Sequence, residues 1–370
     1  MKDNKFLYAA RFIACLAVIT IHTRFPGKFG QIMDALARFA VPYFFAVSGR
    51  FLLMSDSDKT KQTDVSDIVF VRAKTSKALL KLLKITGIVY LIHLLFSFVY
   101  HISSGVSVSE WFSSKYNPGE LLNFLMYNSG KVIYDGSYTF DHLWYLFALV
   151  YVYVLIYIFA PVLRKWYKGL IVILLFFLYL GMLLQTYYPI RPFGINICTW
   201  YVMRNWLFVG MPFVLIGVLF ADYIRDKVDT LSEGNRLAWE KSVGPKAIIG
   251  ILSGIILTII ETFIYGNKEV HFGSFFIVVG ILFLAECKSS WNKGTRQGNG
   301  IIWKIGKKSS SNIYFYHVLI IAIIDILSQR GVVPTPPMWF KPLLIMAICV
   351  ILFYFLPLLW EKRLKSHSST

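Results

Sequence analysis

Residues 11–22 read RFIACLAVITIH, an apolar helical run with a guanidinium at one end and an imidazole at the other. Eleven residues at about 100° each make three turns plus roughly 20°, so Arg11 and His22 share one helix face, about 16 Å apart along the axis. Both side chains are predicted to address one common partner or cavity. The run lies in an apolar block over 6–22, and nine more follow at 32–53, 79–100, 142–163, 169–185, 206–221, 247–265, 271–286, 311–327 and 341–359. With 56% apolar and 16% charged residues arranged in blocks, the chain does not read as a soluble core. Bilayer hydrocarbon satisfies no backbone polar group, so the blocks must be helices. The expected fold is all-α, a polytopic membrane bundle of about ten transmembrane helices forming a single domain over 1–370. The first block starts after five residues and has no small-residue cleavage site, so it reads as a retained helix and not a signal peptide.

A net charge of +18 raises the question of nucleic acid, but the placement of Lys and Arg answers to membrane topology. With the N-terminus inside, cytoplasmic segments hold Lys2 and Lys5, the cations from Lys59 to Lys84, Arg164 to Lys168, Arg225 to Lys246, Lys288 to Lys308, and Lys362 to Lys365: 26 in all. The outer side holds nine, among them Arg24, Lys115, Arg191, Arg204 and Lys268. This alternation predicts both termini inside, a cytoplasmic loop at about 54–78, an outer loop at about 101–140 and a cytoplasmic tail at 361–370. The expected location is a bacterial cytoplasmic membrane, with multiple passes and no nucleic-acid partner.

Polar residues inside the blocks are the candidates for function. Arg38, Pro42, Ser48 and Gly49 interrupt the second block, a pattern that by itself describes a kinked packing helix. Cations recur every third or fourth residue from Arg72 to Lys84. They fit headgroup anchoring, worth about 1 kcal/mol each near an anionic leaflet, or a site for a phosphorylated donor such as coenzyme A. The outer loop delivers the chain into DHLWYL at 141–146, where Asp141 and His142 could pair locally and Trp144 could be an interfacial aromatic. Arg204 and Asn205 open the sixth block. Gly254, Thr258 and Glu261 share a face of the seventh, and a carboxylate at that depth is expensive without a partner. Glu286 reads as a cytoplasmic-surface residue. In the ninth, Tyr314 and His317 share a face with Asp325 nearly aligned, which suits a proton path or substrate lining, or a buried histidine bonded to a neighbouring helix. Cys15, Cys198, Cys287 and Cys349 are scattered and read as packing, with no metal-knuckle or disulfide spacing. Phosphate-loop, HExxH and GxSxG motifs are absent, so nucleotide-hydrolase, zinc-protease and serine-hydrolase readings have no footing.

A histidine is suited to taking a proton from a hydroxyl as it attacks a thioester, because its ordinary pKa lies near the working pH. His22 is the candidate base. Arg11 could hold a phosphate or stabilise an oxyanion, and Glu261 or Asp141 could orient the imidazole.

These stretches resemble the integral-membrane acyltransferases of the acyltransferase-3 type. The resemblance rests on Arg11-x10-His22, AVPYFFAVSGRFLL (40–53), DHLWYL (141–146), the run from Arg204 to Gly217, and SSNIYFYH (310–317), and it covers nearly all of the chain. It implies transfer of an acyl group, usually acetyl, from cytoplasmic acyl-CoA to a hydroxyl of an extracytoplasmic or lipid-linked glycan, with no bound cofactor or metal. His22, Arg11, Glu261, Asp141 and His142 form the expected catalytic set. Arg38, Ser48, Lys84, Trp144, Arg204, Asn205, Tyr314 and His317 form the expected substrate-binding set. The same stretches are similar to the membrane half of the membrane-bound serine racemases of vancomycin resistance, which implies an importer of L-serine-like amino acids as the alternative. Here the chain stops soon after the tenth block, so racemisation is not expected of it, and a soluble domain or partner outside this chain is an open expectation.

Overall fold

The computed structural model describes residues 4–53, 68–137, 140–187, 200–287 and 300–367. Arg191, Cys198, most of the Pro-rich stretch at 187–194, and the cations at 59, 61, 288, 293 and 296 lie outside them. Among the described residues the secondary structure is helical and strand-free. Among these residues eight helical segments, Gly27–Leu52 counted as one, are long and apolar enough to cross a membrane. Their outward side chains, such as Leu80, Leu91 and Leu95 or Val172 and Phe176, are large, apolar and exposed. In water that surface would be a liability, and in hydrocarbon it is the expected one. The protein is a multi-pass membrane protein.

Helix α1 (Lys5–His22) starts at Asn4, whose side chain accepts from the Leu7 amide, and ends where Thr23 donates both its amide and its hydroxyl to the Ile19 carbonyl. These termini define a near end, at Lys5, and a far end, at His22. The second apolar block is not one kinked helix but two, α2 (Gly27–Ala37) and α3 (Ala40–Leu52), parted at Arg38 and Phe39. Pro42 explains the break. It lacks the N–H that would bond the Arg38 carbonyl, so a helix restarts just before it. Helix α4 (Ile68–Ser103) begins within the expected cytoplasmic loop, so residues 68–78 are helical. The expected outer loop is also structured: α5 (Val108–Tyr116) and α6 (Pro118–Tyr127) are capped by Ser107 and Asn117. They are held to α4 by a buried ion pair, Lys115 to Asp135 at 2.7 Å, with Ser97 donating to the same carboxylate. Burial alone would raise the Asp135 carboxyl, but the Lys115 ammonium outweighs it and holds the group below the usual range.

Helix α7 (Trp144–Tyr187) has 44 residues, about 66 Å if straight, against a hydrocarbon core of ~30 Å. It bends instead. Phe159 leaves helical geometry two residues before Pro161. The carbonyl that Pro161 leaves free, that of Tyr157, accepts from Arg72 Nε at 3.1 Å. Arg72 lies at the near end of α4, and Tyr167 donates to Asp222 near the end of the next long helix. Beyond them, Met203 closes on Gly181. The two arms of α7 therefore run from the far end to the near end and back. The basic turn expected at 164–168 is helical, and the bend comes a few residues earlier, where the proline is.

Helix α8 (Trp206–Val228) opens on a π turn over Trp206–Gly210. Helix α9 (Glu233–Tyr265) pairs with the shorter α10 (Phe272–Cys287) through Gly254, Thr258 and Gly273, so the shared face seen in the sequence is a close helix contact. Gly49 of α3 and Gly217 of α8 likewise meet backbone on the opposite helix. Glu286 is not a surface residue. It forms an ion pair with Arg50, and both are 6% exposed. Helix α11 (Ile301–Gln329) runs parallel to α1: Gly306 lies on the Tyr8 carbonyl, Arg11 bonds Ser311, and the rings of His22 and His317 meet further on. Helix α12 (Lys341–Glu361) returns to the near end, where Glu361 meets Lys308.

Candidate active site

A cavity of about 380 Å³ opens at the far end, where α1 finishes and several connections converge. His22 borders it because Thr23 stops α1 one residue later. Arg38 reaches it from the break before Pro42, and Asp141, His142 and Trp144 come from the turn that leads into α7. Arg204 sits just ahead of α8, Glu269 in the connection from α9 to α10, and Tyr314 on α11.

The cavity is charged, and its charges are bridged. Glu269 Oε2 accepts from Arg38 Nη1 at 2.7 Å and from Arg204 Nη1 at 2.8 Å. Arg204 also donates to the Tyr134 hydroxyl at 3.0 Å and lies over the Trp144 ring at 5.4 Å. Arg38 and Arg24 share the buried Asp34. Burial alone would raise the Glu269 carboxyl, and the Arg204 and Arg38 guanidiniums outweigh it, holding the group below the usual carboxylate range. Asp141 is the opposite case: burial pushes its carboxyl up to about 6 against the weaker pull of Arg204. The site therefore holds one fixed carboxylate and one carboxyl that titrates near neutrality.

Four imidazoles from four elements gather here, His22 and His142 on the cavity wall and His317 and His93 behind it. The His317 ring is 5.3 Å from that of His22 and 4.9 Å from that of His142, and His93 of α4 is 5.3 Å from His142. His93 Nδ1 donates to the Val89 carbonyl at 2.8 Å, His142 Nε2 to Phe315 at 2.8 Å, and His317 Nδ1 to Tyr314 at 2.9 Å. A carbonyl only accepts, so each of those nitrogens carries the hydrogen. The other nitrogen of each ring is buried without a partner.

Of the residues picked from sequence, the structure brings His22, Asp141, His142, Trp144, Arg38, Arg204 and Tyr314 around one cavity. Asp141 and His142 do not pair, since the His142 ring is bonded to α11. His317 is one layer behind. Arg11 shares α1 with His22 as expected but bonds Ser311 at 2.9 Å, well toward the near end. Glu261 is elsewhere: it accepts from His271 Nδ1 at 3.0 Å and from the Phe272 amide, capping α10. Asn205 spends its side chain capping α8, accepting from Leu207 and Phe208 and donating to Val202. Ser48 meets Tyr145 at 3.1 Å, Lys84 is exposed on α4, and Asp325 pairs with Lys341. Glu269 and His93 are the residues that sequence reasoning missed. Glu269 sits in a polar connection that looks like any loop, and His93 is a lone histidine in an apolar run. Among the described residues no group of His, Cys, Asp and Glu could hold a metal ion.

No curated protein and no solved structure matches the chain. The family described as an acyltransferase domain matches residues 4–359, nearly its whole length, and with the membrane fold described above the chain belongs to the integral-membrane acyltransferases.

Proposed function

We propose that the protein moves an acyl group, acetyl in the first instance, from cytoplasmic acyl-CoA to a hydroxyl of an extracytoplasmic or lipid-linked glycan, with His22 as the general base. The observation that carries this reading is that His22 borders a guanidinium-lined cavity at the end of the bundle opposite Lys5, Arg72 and Lys308. Ten crossings with both termini inside fit that polarity, because the two arms of α7 run in opposite directions and the near end carries the basic side chains.

The steps balance without a further group. The His22 imidazole takes the hydroxyl proton as the oxygen attacks the thioester carbonyl. The oxyanion that forms lies beside Arg204 and Arg38, whose guanidiniums are held in place by Glu269 before any charge develops. Collapse expels the thiolate, and the imidazolium returns the proton to it. Asp141, titrating near 6, lies on the same wall and sets the local charge. In this reading Arg11, on the same helix and bonded to Ser311, takes the phosphates of the donor from the cytoplasmic side. The importer reading has no specific observation in its favour.

Two measurements test this. Purified protein given acetyl-CoA and glycan acceptors should release CoA, and His22→Ala should lower the rate by roughly 10²–10⁴-fold; an unchanged rate removes His22 as the base. Acetyl-CoA binding should weaken in Arg11→Ala. No binding by the wild type at millimolar ligand shifts the reading to transport.

A further inference from the structure

The histidine cluster poses a problem of matching donors to acceptors. His93, His142 and His317 have each committed their one N–H to a backbone carbonyl, and each leaves a buried acceptor nitrogen with no partner. Two such acceptors cannot bond each other. Tyr314, whose ring lies against those of His142 and His317, has given its hydroxyl hydrogen to the His142 carbonyl at 2.8 Å. Among these groups only His22 retains an N–H with no backbone partner, and it touches two of the rings. The His317 ring is at 5.3 Å and the His142 ring at 6.4 Å. Two imidazoles joined nitrogen to nitrogen at about 3 Å have centroids about 5 Å apart. No acid competes for the place: among the described residues the histidine that pairs with a carboxylate is His271, with Glu261.

We propose that His317 is the positioning residue of His22, accepting the His22 N–H on its free Nε2 and so presenting the other His22 nitrogen, lone pair outward, to the cavity. The inference rests on His22 being the base. It replaces the carboxylate expected behind that base with a neutral imidazole, whose own orientation is fixed by two carbonyls of α11, Ile313 and Tyr314. His317 touches no substrate. It acts by selecting a tautomer, as second-layer partners of catalytic histidines do.

The test is nuclear magnetic resonance of the full chain in lipid nanodiscs with isotope-labelled histidine, reading the tautomer of His22, together with kcat and KM for CoA release. In the wild type His22 is expected in a single tautomer. His317→Phe, which keeps a ring but removes the acceptor, should mix the two tautomers and lower kcat by on the order of 10- to 100-fold with KM little changed. His317→Gln, whose amide oxygen can accept, should restore most of both. An unmoved His22 tautomer in His317→Phe overturns the proposal, and so does a mixture of tautomers in the wild type, which needs no variant to fold. The tautomer reading needs no substrate. If His22 is a single tautomer that depends on His317 while His22→Ala stays active, the pairing stands and the base assignment falls.

Discussion

Glu269 Oε2 accepts from Arg204 Nη1 at 2.8 Å, and the same oxygen takes Arg38 at 2.7 Å. One carboxylate atom thus ties the lead-in to α8 to the break between α2 and α3. Removing its charge leaves two partly buried guanidiniums facing each other. Glu269→Gln is expected to lower unfolding stability in detergent by about 2–5 kcal/mol and to abolish turnover. The pH dependence has a definite sign. The folded pKa is depressed, so this stability is present above the ordinary glutamate value of about 4.3 and is lost as pH falls through the lower folded value. The wild type should lose thermal stability there and Glu269→Gln should not; parallel acid profiles would remove the bridge from the account.

Asp141 titrates the other way. Its folded pKa of about 6 lies above the ordinary aspartate value of about 3.9, so its contribution is most favourable below the latter and declines as pH rises through 6. Asp141→Asn is expected to match the wild type in melting temperature near pH 4 and to exceed it increasingly up to pH 6, with a constant gap above. Melting curves across that range are decisive, and a gap independent of pH would mean that burial does not raise this carboxyl.

The crossing of α3 and α8 depends on two residues without side chains. A Cβ on Gly217 would collide with the Ala46 carbonyl, whereas one on Gly87, on the outer face of α4, would meet nothing within 4 Å. Gly217→Ala should destabilise the protein by at least about 1–3 kcal/mol, and Gly87→Ala should be neutral or stabilise it by up to roughly 1 kcal/mol. Equal melting temperatures for the two variants would contradict the contact.

At the bend of α7, Arg72 supplies the hydrogen bond that Pro161 withholds from Tyr157. The two residues should therefore be coupled. Arg72→Ala is expected to cost about 1–2 kcal/mol beside Pro161 and distinctly less in a Pro161→Ala background, where a backbone N–H can reach the carbonyl. A double-mutant cycle measured by chemical unfolding gives the coupling, and additivity would show that the arginine plays no such part.

Much of this architecture was legible in the chain, and the illegible parts share a cause. Block lengths marked the long apolar helices of a membrane bundle, and the 3.6-residue period put Arg11 and His22 on one face of a helix, which α1 is. Period and composition describe a helix but not the element across from it. Glu261 looked like an orphan carboxylate because His271 and the Phe272 amide, its partners, lie beyond a turn. Glu286 looked superficial because Arg50 is on a helix far away in sequence. Glu269 carried no signal at all, since its meaning comes from two arginines that only the folded chain brings to it. The proline reading was right in kind and displaced by four residues in α3, because the bond that a proline deletes belongs to the residue four places earlier.

The parallel pairing of α1 with α11 has a consequence for biogenesis. Arg11 and Ser311, which bond at 2.9 Å, are separated by 300 residues. At roughly 5–20 residues per second, the first helix made spends about 15–60 s in the membrane before its partner exists. Through that interval a helix carrying a guanidinium has neither Ser311 nor the rest of its groove. His22 is thus among the first residues inserted, and its surroundings are among the last to be completed.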